Sequence, residues 1–203
     1  MRSKILMTAS AAIFLTVTTI AADAVPTGEE QMKLPRELQI KNRGGSDGAG
    51  LCVFASITHS AHWQRERDLE DLFRWMFTRP GGGYPSKVEK IVAEKTQGRV
   101  KVIQYEGSDL DVLRLAVKTN RMPAVTYAYS PTGRYGGKKI AHMVSLVGIT
   151  GTGAAETWQI LDNNYPGTVE RMSTAEFKRS FTGMGGGWAV ILYPPGPPPE
   201  PRN

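Results

Sequence analysis

Hydrophobic and polar positions change their spacing about halfway along the chain, and the change predicts two kinds of element in succession. In the first half, apolar residues recur every three or four positions, as Leu69, Leu72 and Met76 do, which is the spacing of one face of a helix. Three helices are predicted in this half, over 52–63, 68–77 and 86–95.

The second half is dominated by short apolar runs rich in valine, isoleucine and aromatic residues, which are typical of strands. Five strands are predicted there, over 100–105, 123–129, 140–149, 157–161 and 188–193. Two short helices are predicted among them, over 110–118 and 174–180. Because a run of helices is followed mostly by strands, rather than alternating with them, the pattern predicts the α+β class.

The two ends of the chain differ from this pattern. Residues 1–24 have Arg2 and Lys4 before an apolar stretch and a small-residue cleavage pattern at 22–24, which predicts a signal peptide and export to a periplasm or the medium. No later stretch is apolar enough to predict a transmembrane helix after cleavage. An extended segment at 25–40, one domain at 41–193 and a proline-rich tail at 194–203 are expected to follow.

Charge and cysteine content narrow the expected partners. The chain has 25 Lys and Arg against 19 Asp and Glu, a net charge of +6, and the charges are spread along it rather than clustered. No basic patch interleaved with aromatic residues points to nucleic acid. A single cysteine allows no internal disulfide, so the predicted domain, expected to be a monomer, depends on hydrophobic packing.

That cysteine, Cys52, is the first candidate for chemistry. It follows a glycine-rich run at 44–50 and begins a predicted helix. Free N–H groups and the helix dipole at such a position favour a thiolate. The alternative is that Cys52 is merely a small buried hydrophobic residue.

A thiolate needs a base, and the chain has three histidines. His59 and His62 lie on the same predicted helix as Cys52, roughly 10 Å and 15 Å further along its axis, so neither is expected to reach the sulfur. His142 begins an apolar strand, and the next strand ends in Asp-Asn-Asn at 162–164. Any of these three polar side chains is suited to fix the tautomer of His142.

Four blocks, in this order, make the chain resemble the papain family of cysteine proteases. Lys-Asn-Arg-Gly at 41–44 with Cys-Val-Phe-Ala-Ser at 52–56 is similar to the family's Lys-Asn-Gln-Gly and Cys-Trp-Ala-Phe-Ser. Gly-Gly-Tyr-Pro at 82–85 and Ala-His-Met-Val at 141–144 match its cleft and histidine segments. Leu-Asp-Asn-Asn-Tyr at 161–165 stands where the family has its asparagine and tryptophan.

The resemblance implies a helical lobe and an antiparallel β-rich lobe with an active-site cleft between them, and a peptide or protein as substrate. It implies Cys52 as nucleophile, His142 as general base and Asn163 as the residue that orients the imidazole, with Asp162 as the alternative. The remaining implied roles are substrate binding by Gly82, Gly83 and Tyr84 and shielding of the imidazole contact by Tyr165.

The chain departs from the family at the oxyanion hole. The family's glutamine six residues before the nucleophile is replaced by Ser46, and the position equivalent in the Lys-Asn-X-Gly motif holds Arg43. Asn42, Arg43 and Ser46 are the candidate donors. The departure keeps open a catalytically impaired, peptide-binding protein, and the Cys–His–polar order also suits a cell-wall amidase or a transglutaminase-like enzyme. No metal site or cofactor is predicted, because no His, Cys and carboxylate set has ligand spacing.

Overall fold

The computed structural model describes residues 32–197. Five α-helices lie in this range, namely α1 (Cys52–Gln64), α2 (Leu72–Trp75), α3 (Pro85–Thr96), α4 (Asp111–Lys118) and α5 (Thr174–Thr182). Six strands lie there as well, namely β1 (Val102–Gly107), β2 (Ala124–Tyr127), β3 (His142–Thr150), β4 (Thr157–Leu161), β5 (Val169–Ser173) and β6 (Gly187–Leu192). The described chain therefore has the α+β character that the sequence predicts.

The six strands form one sheet in the order β1-β6-β2-β3-β4-β5, and every neighbouring pair is antiparallel. Successive side chains of a strand point to opposite faces, and in β3 both sets are buried, from His142 through Gly148. This is why β3 has a continuous apolar run instead of an alternating one. A β-bulge between Leu146 and Gly148 shifts its register with β4.

Helices cover both faces of this sheet. Met143 and Val190 point towards α1, α2 and α3, in one hydrophobic cluster. Val144 and Trp158 point towards α4 and α5, in a second cluster, where the Trp158 ring stacks on Phe177 with 4.2 Å between centroids. Because each face is buried, the sheet is the centre of the fold and its strand ends are the places left for a site.

Two elements differ from the predicted ones. The helix predicted at 68–77 is broken into α2 and two 3-10 turns, Arg67–Leu69 and Met76–Thr78. Strand β5 was not predicted, because Glu170 occupies one of its inward positions and is 2% exposed. A buried carboxylate hides the alternation by which a half-buried strand is recognised.

The sequence also predicts a capping box at the start of the third helix, with Ser86 as N-cap and Glu89 three residues later. The structure differs, because α3 begins at Pro85 with Tyr84 as its N-cap and no side-chain cap. Proline suits this first helical position because its missing N–H would have no partner there. The capping box is formed instead by Ser173 and Glu176 at the start of α5.

The described parts of the two terminal segments are bound to the domain. Met32 and Leu34 are buried, and the Met32 N–H donates to the Val147 carbonyl at 2.6 Å. The Gly196 N–H donates to the Asn120 carbonyl at 2.9 Å, so the proline-rich tail begins on the surface of the domain. The predicted signal peptide at 1–24 lies outside the described residues and stays a prediction. Within 32–197, no helix is long and apolar enough to cross a membrane.

Candidate active site

Cys52 is the first residue of α1 and is half-buried. The N-cap residue, Leu51, makes no side-chain cap, so the first N–H groups of the helix have no capping acceptor there. These groups and the helix dipole place positive potential at the thiol. The position is therefore suited to a thiolate, as the sequence predicts.

The glycine-rich run before Cys52 is tied to the loop that precedes α3. The Ser46 N–H donates to the Arg79 carbonyl at 2.9 Å, and the Gly82 N–H donates to the Gly50 carbonyl at 2.8 Å. The Asp47 carboxylate accepts from the Gly81 N–H at 2.8 Å. A Cβ added at Gly81 would lie 1.8 Å from the Ala49 carbonyl oxygen, so only glycine fits. We call residues 44–50 and 79–83 together the paired loops.

His142 begins β3, and its ring lies between Cys52 and Asp162. The Nε2 atom is 2.8 Å from Oδ1 of Asp162. Nδ1 is therefore the ring nitrogen left to interact with the Cys52 thiol, which raises the pKa of His142. His142 and Asp162 are both held at strand ends, because β3 begins at His142 and β4 ends immediately before Asp162.

The charges of these groups support one another. Burial lowers the pKa of His142, but hydrogen bonds and charges from Asp162 and Cys52 outweigh it and raise the pKa to about 9. Burial raises the pKa of Cys52, yet the hydrogen bond and charge of His142 bring it below the ordinary thiol value. Burial likewise raises the pKa of Asp162, and the bond to His142 outweighs this, so the carboxyl has a lowered pKa. The arrangement therefore favours imidazolium and carboxylate at neutral pH and shifts Cys52 towards the thiolate.

Asn163, expected to orient the imidazole, makes different contacts. Its Nδ2 atom lies 2.9 Å from the Met143 carbonyl, 2.9 Å from Oγ of Ser56 and 3.2 Å from the Cys52 carbonyl. The ring of His142 is held by the alternative, Asp162. Asn163 instead joins the first turn of α1 to β3, because its side chain points away from the ring that its neighbour contacts.

Two of the three candidate oxyanion side chains, those of Asn42 and Arg43, are engaged elsewhere, and Ser46 is fixed through its backbone. Asn42 donates its side-chain amide to Oδ1 of Asn164 at 3.0 Å. The Arg43 guanidinium lies over the Phe77 ring, 4.2 Å from its centroid. Ser46 is held through its backbone N–H in the paired loops. The backbone groups that hydrogen-bond to the Cys52 sulfur are those of Met143 on β3 and Val53 on α1, and both lower the pKa of the thiol.

Gly82 and Gly83 lie beside the start of α1, as a substrate-binding role requires. Gly82 has φ of +66°, and a Cβ there would meet nothing within 4 Å, so its outer side is open. A Cβ at Gly83 would come within 2.5 Å of the Val53 side chain. Tyr84 follows with 59% of its surface exposed. The segment therefore presents open backbone and one exposed aromatic ring next to the helix that carries Cys52.

Tyr165, expected to shield the imidazole contact, reaches it through a second tyrosine. The Tyr165 ring meets the Tyr135 ring edge to face, with 5.7 Å between centroids. Tyr135 in turn lies 6.0 Å from the His142 ring and donates its hydroxyl to Oδ2 of Asp162 at 2.6 Å. Tyr135 was missed in the sequence because it lies in a glycine- and lysine-rich loop with no periodicity.

The other two histidines are not part of this arrangement. His59 is fully buried; its Nε2 accepts from the Ile40 N–H at 2.7 Å and its Nδ1 lies 3.0 Å from Oγ of Ser145. Burial lowers its pKa to about 3, so it is a neutral core residue. His62 is partly buried near the end of α1. Both positions agree with the expectation that neither reaches Cys52.

His59 should make the protein sensitive to acid. Because its pKa is lowered to about 3 from an ordinary value of about 6.5, the unfolded chain binds a proton below pH 6.5 that the folded protein excludes. The stabilisation is complete above pH 6.5 and is lost as the pH falls, by about 1.4 kcal/mol per pH unit. Urea unfolding of His59→Gln between pH 7 and pH 5 should show a pH slope smaller by this amount. Equal slopes in the two proteins would contradict the assignment.

No group of three His, Cys, Asp or Glu side chains that could hold a metal ion occurs within residues 32–197. Comparison with known proteins returned no matching family model and no matching curated protein. Any functional conclusion therefore depends on the residues of this chain.

Proposed function

We propose that the protein is a papain-like cysteine peptidase, exported and acting on peptide bonds through Cys52 and His142. The observation that carries the proposal is the position of the His142 ring, which is hydrogen-bonded to Asp162 at 2.8 Å and has its pKa raised to about 9 by Asp162 and Cys52 together. A buried imidazolium next to the only thiol is the arrangement by which cysteine hydrolases generate a nucleophile.

The chemistry follows from these groups. The Cys52 thiolate attacks the substrate carbonyl carbon, and the N–H groups at the start of α1 donate to the oxyanion that forms. The C–N bond then breaks, the imidazolium of His142 gives its proton to the leaving amine, and a thioester remains on Cys52. Neutral His142 next takes a proton from water, which attacks the thioester and releases the acid. Asp162 keeps the Nε2 proton in place throughout.

The cleft of this proposed fold lies between the start of α1 and the ends of β3 and β4. Gly82 and Gly83 border it, and the open side of Gly82 suits an extended peptide, since a second chain can approach glycine closely. Tyr84 lies beside them and offers an aromatic surface to a substrate side chain. These features support a peptide substrate.

The first test measures the thiolate directly. Iodoacetamide should alkylate Cys52 at pH 6 about tenfold to a hundredfold faster than a small-molecule thiol, because an ordinary thiol is almost fully protonated there. Cys52 is the only cysteine, so mass spectrometry reports one site without ambiguity. His142→Ala should remove the acceleration. A wild-type rate equal to that of the free thiol would overturn the ion pair.

The second test measures hydrolysis. A mixture of peptides derived from an unfolded proteome is incubated with the wild-type protein and with Cys52→Ala, and new peptide termini are identified by mass spectrometry. New termini that appear with the wild type and are absent with Cys52→Ala support the proposal. An equal absence of cleavage in both samples would overturn the peptidase and favour peptide binding without turnover. Release of stem peptides from peptidoglycan alone would favour the amidase.

A further inference from the structure

The loop between β2 and β3 carries a second charged group to the Asp162 carboxylate. Nη1 of Arg134 lies 4.0 Å from Oδ2 of Asp162, the oxygen that also accepts from Tyr135. The Arg134 side chain is only 13% exposed, and its Nη1 atom is buried without a hydrogen-bond partner among the described residues. The position of this atom is therefore set by charge rather than by a hydrogen bond.

A second buried carboxylate lies close to the same nitrogen of Arg134. Oε2 of Glu170, on β5, lies 3.8 Å from Nη1 of Arg134. Glu170 also binds the loop itself: it accepts from Oγ of Ser130 at 2.6 Å and from the Thr132 N–H at 3.3 Å. The Tyr127 hydroxyl donates to it as well. One residue of β5 thus fixes the loop that delivers Arg134 to Asp162.

Glu170 is ionised despite its burial. Burial raises the pKa of its carboxyl, but hydrogen bonds from Ser130, Thr132 and Tyr127 and the charge of Arg134 outweigh this and lower the pKa. Such a set of donors stabilises the carboxylate form selectively. The imidazole of His142 therefore faces a row of alternating charges, Asp162, Arg134 and Glu170, in a region shielded from water.

We propose that Arg134 and Glu170 are positioning residues that act through Asp162 and set the pH range over which Cys52 and His142 exist as an ion pair. The inference deepens the proposed function and rests on it for the role of the ion pair. Neither residue touches the reacting atoms. Each acts by its charge, which a low-dielectric interior transmits further than water does.

The two charges should have opposite effects. The ion pair exists between the pH at which Cys52 loses its proton and the higher pH at which His142 loses its own. Removing the negative charge of Glu170 makes the local potential more positive, which favours loss of both protons and shifts both limits to lower pH. Removing the positive charge of Arg134 shifts both to higher pH. The Arg134 effect should be larger, because its charge lies 4.0 Å from the Asp162 carboxylate.

The groups that face His142 come from several elements, and the test accounts for each. They are Cys52 of α1, Tyr127 of β2, Arg134 and Tyr135 of the β2–β3 loop, Asp162 and Tyr165 after β4, and Glu170 of β5. Burial raises the pKa of both Tyr127 and Tyr135 well above the working range. These two tyrosines stay neutral, so the shifts are expected to report the charged groups.

The experiment is the rate of Cys52 alkylation by iodoacetamide against pH, from pH 3 to pH 10, which needs no substrate. Glu170→Gln should move both limits to lower pH by about half a unit or more, and Arg134→Gln should move both to higher pH by about one unit. Arg134→Lys, which keeps the charge, should stay near the wild type. The double variant Glu170→Gln/Arg134→Gln should lie between the single variants.

A variant that only loses stability should not shift the two pH limits, and a matched control separates this effect from the charge effect. Arg114 and Glu156 form another ion pair, 2.6 Å apart and at the opposite end of β4 from Asp162. Glu156→Gln should lower the urea midpoint of unfolding and leave both pH limits unchanged. Limits that do not move in Glu170→Gln and Arg134→Gln, or that move in the same direction in both, overturn the inference. If Arg134→Gln or Glu170→Gln does not fold, Arg134→Met or Glu170→Met replaces it in this comparison, with Arg134→Lys as the variant that keeps the charge.

This readout also separates the inference from the peptidase proposal. Opposite shifts without any peptide cleavage would support the charge effect and reject the peptidase. Peptide cleavage by wild type without opposite shifts would support the peptidase and reject the roles of Arg134 and Glu170.

Discussion

Asp162→Asn should lower the turnover of a peptide cleaved by the wild type about 10³-fold to 10⁴-fold, because the imidazole would lose its tautomer. Asp162 accepts the Nε2 proton of His142 through Oδ1. An asparagine at this position can present its NH₂ group to Nε2, which moves the ring proton to Nδ1, the nitrogen that must receive the thiol proton. The same variant should alkylate more slowly at pH 6, since the imidazolium that stabilises the thiolate becomes less favourable.

The matched control for this change is Asp109→Asn, which makes the same substitution at an exposed carboxylate that accepts from the Asp111 N–H. It should leave turnover unchanged. A decrease of less than tenfold in Asp162→Asn, in a protein that still unfolds cooperatively in urea, would contradict the role of Asp162.

Asn163→Ala should have its effect on stability instead, lowering the free energy of unfolding by about 2–4 kcal/mol. The buried Nδ2 group lies within hydrogen-bonding distance of the Cys52 carbonyl, the Met143 carbonyl and Oγ of Ser56. Its removal leaves acceptors on α1 and β3 without that donor. Urea unfolding at pH 7 gives the magnitude.

The pH range of Cys52 alkylation distinguishes the role of Asn163 from that of its neighbour Asp162. In Asn163→Ala it should stay near that of the wild type, because the His142–Asp162 hydrogen bond is intact. Asn163→Asp keeps the volume and removes the donor, so it should lose at least as much stability. A stable Asn163→Ala protein with turnover reduced a hundredfold would instead assign the orienting role to Asn163.

The order of residues pointed to Cys52 and His142, and the family resemblance preferred Asn163 to Asp162 as the residue that orients the imidazole, whereas Asp162 is the one that contacts the ring. Asp162 and Asn163 both follow the last residue of β4, and successive residues at a strand end point in different directions. Which of them meets the ring depends on how β4 pairs with β3. That register includes a β-bulge between Leu146 and Gly148, which no local pattern in the sequence reveals.

Arg134, Tyr135 and Glu170 could not be predicted for a related reason. The first two lie in a loop, where hydrophobic periodicity carries no information. Glu170 occupies an inward strand position that is normally apolar, and its partners come from residues about 40 positions earlier. By contrast, α1, α3, β3 and β4 were predicted near their observed bounds because their own apolar residues form the core around the sheet.

The paired loops, 44–50 and 79–83, have a consequence for how such a chain can vary in length. The Ser46, Gly81 and Gly82 N–H groups bond across the two loops, and the close contact of Gly81 with Ala49 leaves no space for a side chain. A residue inserted into or deleted from one loop would break bonds in both. An insertion or deletion in the loop that leads to Cys52 therefore requires a compensating change in the other loop, although more than 25 positions separate the two loops in the chain.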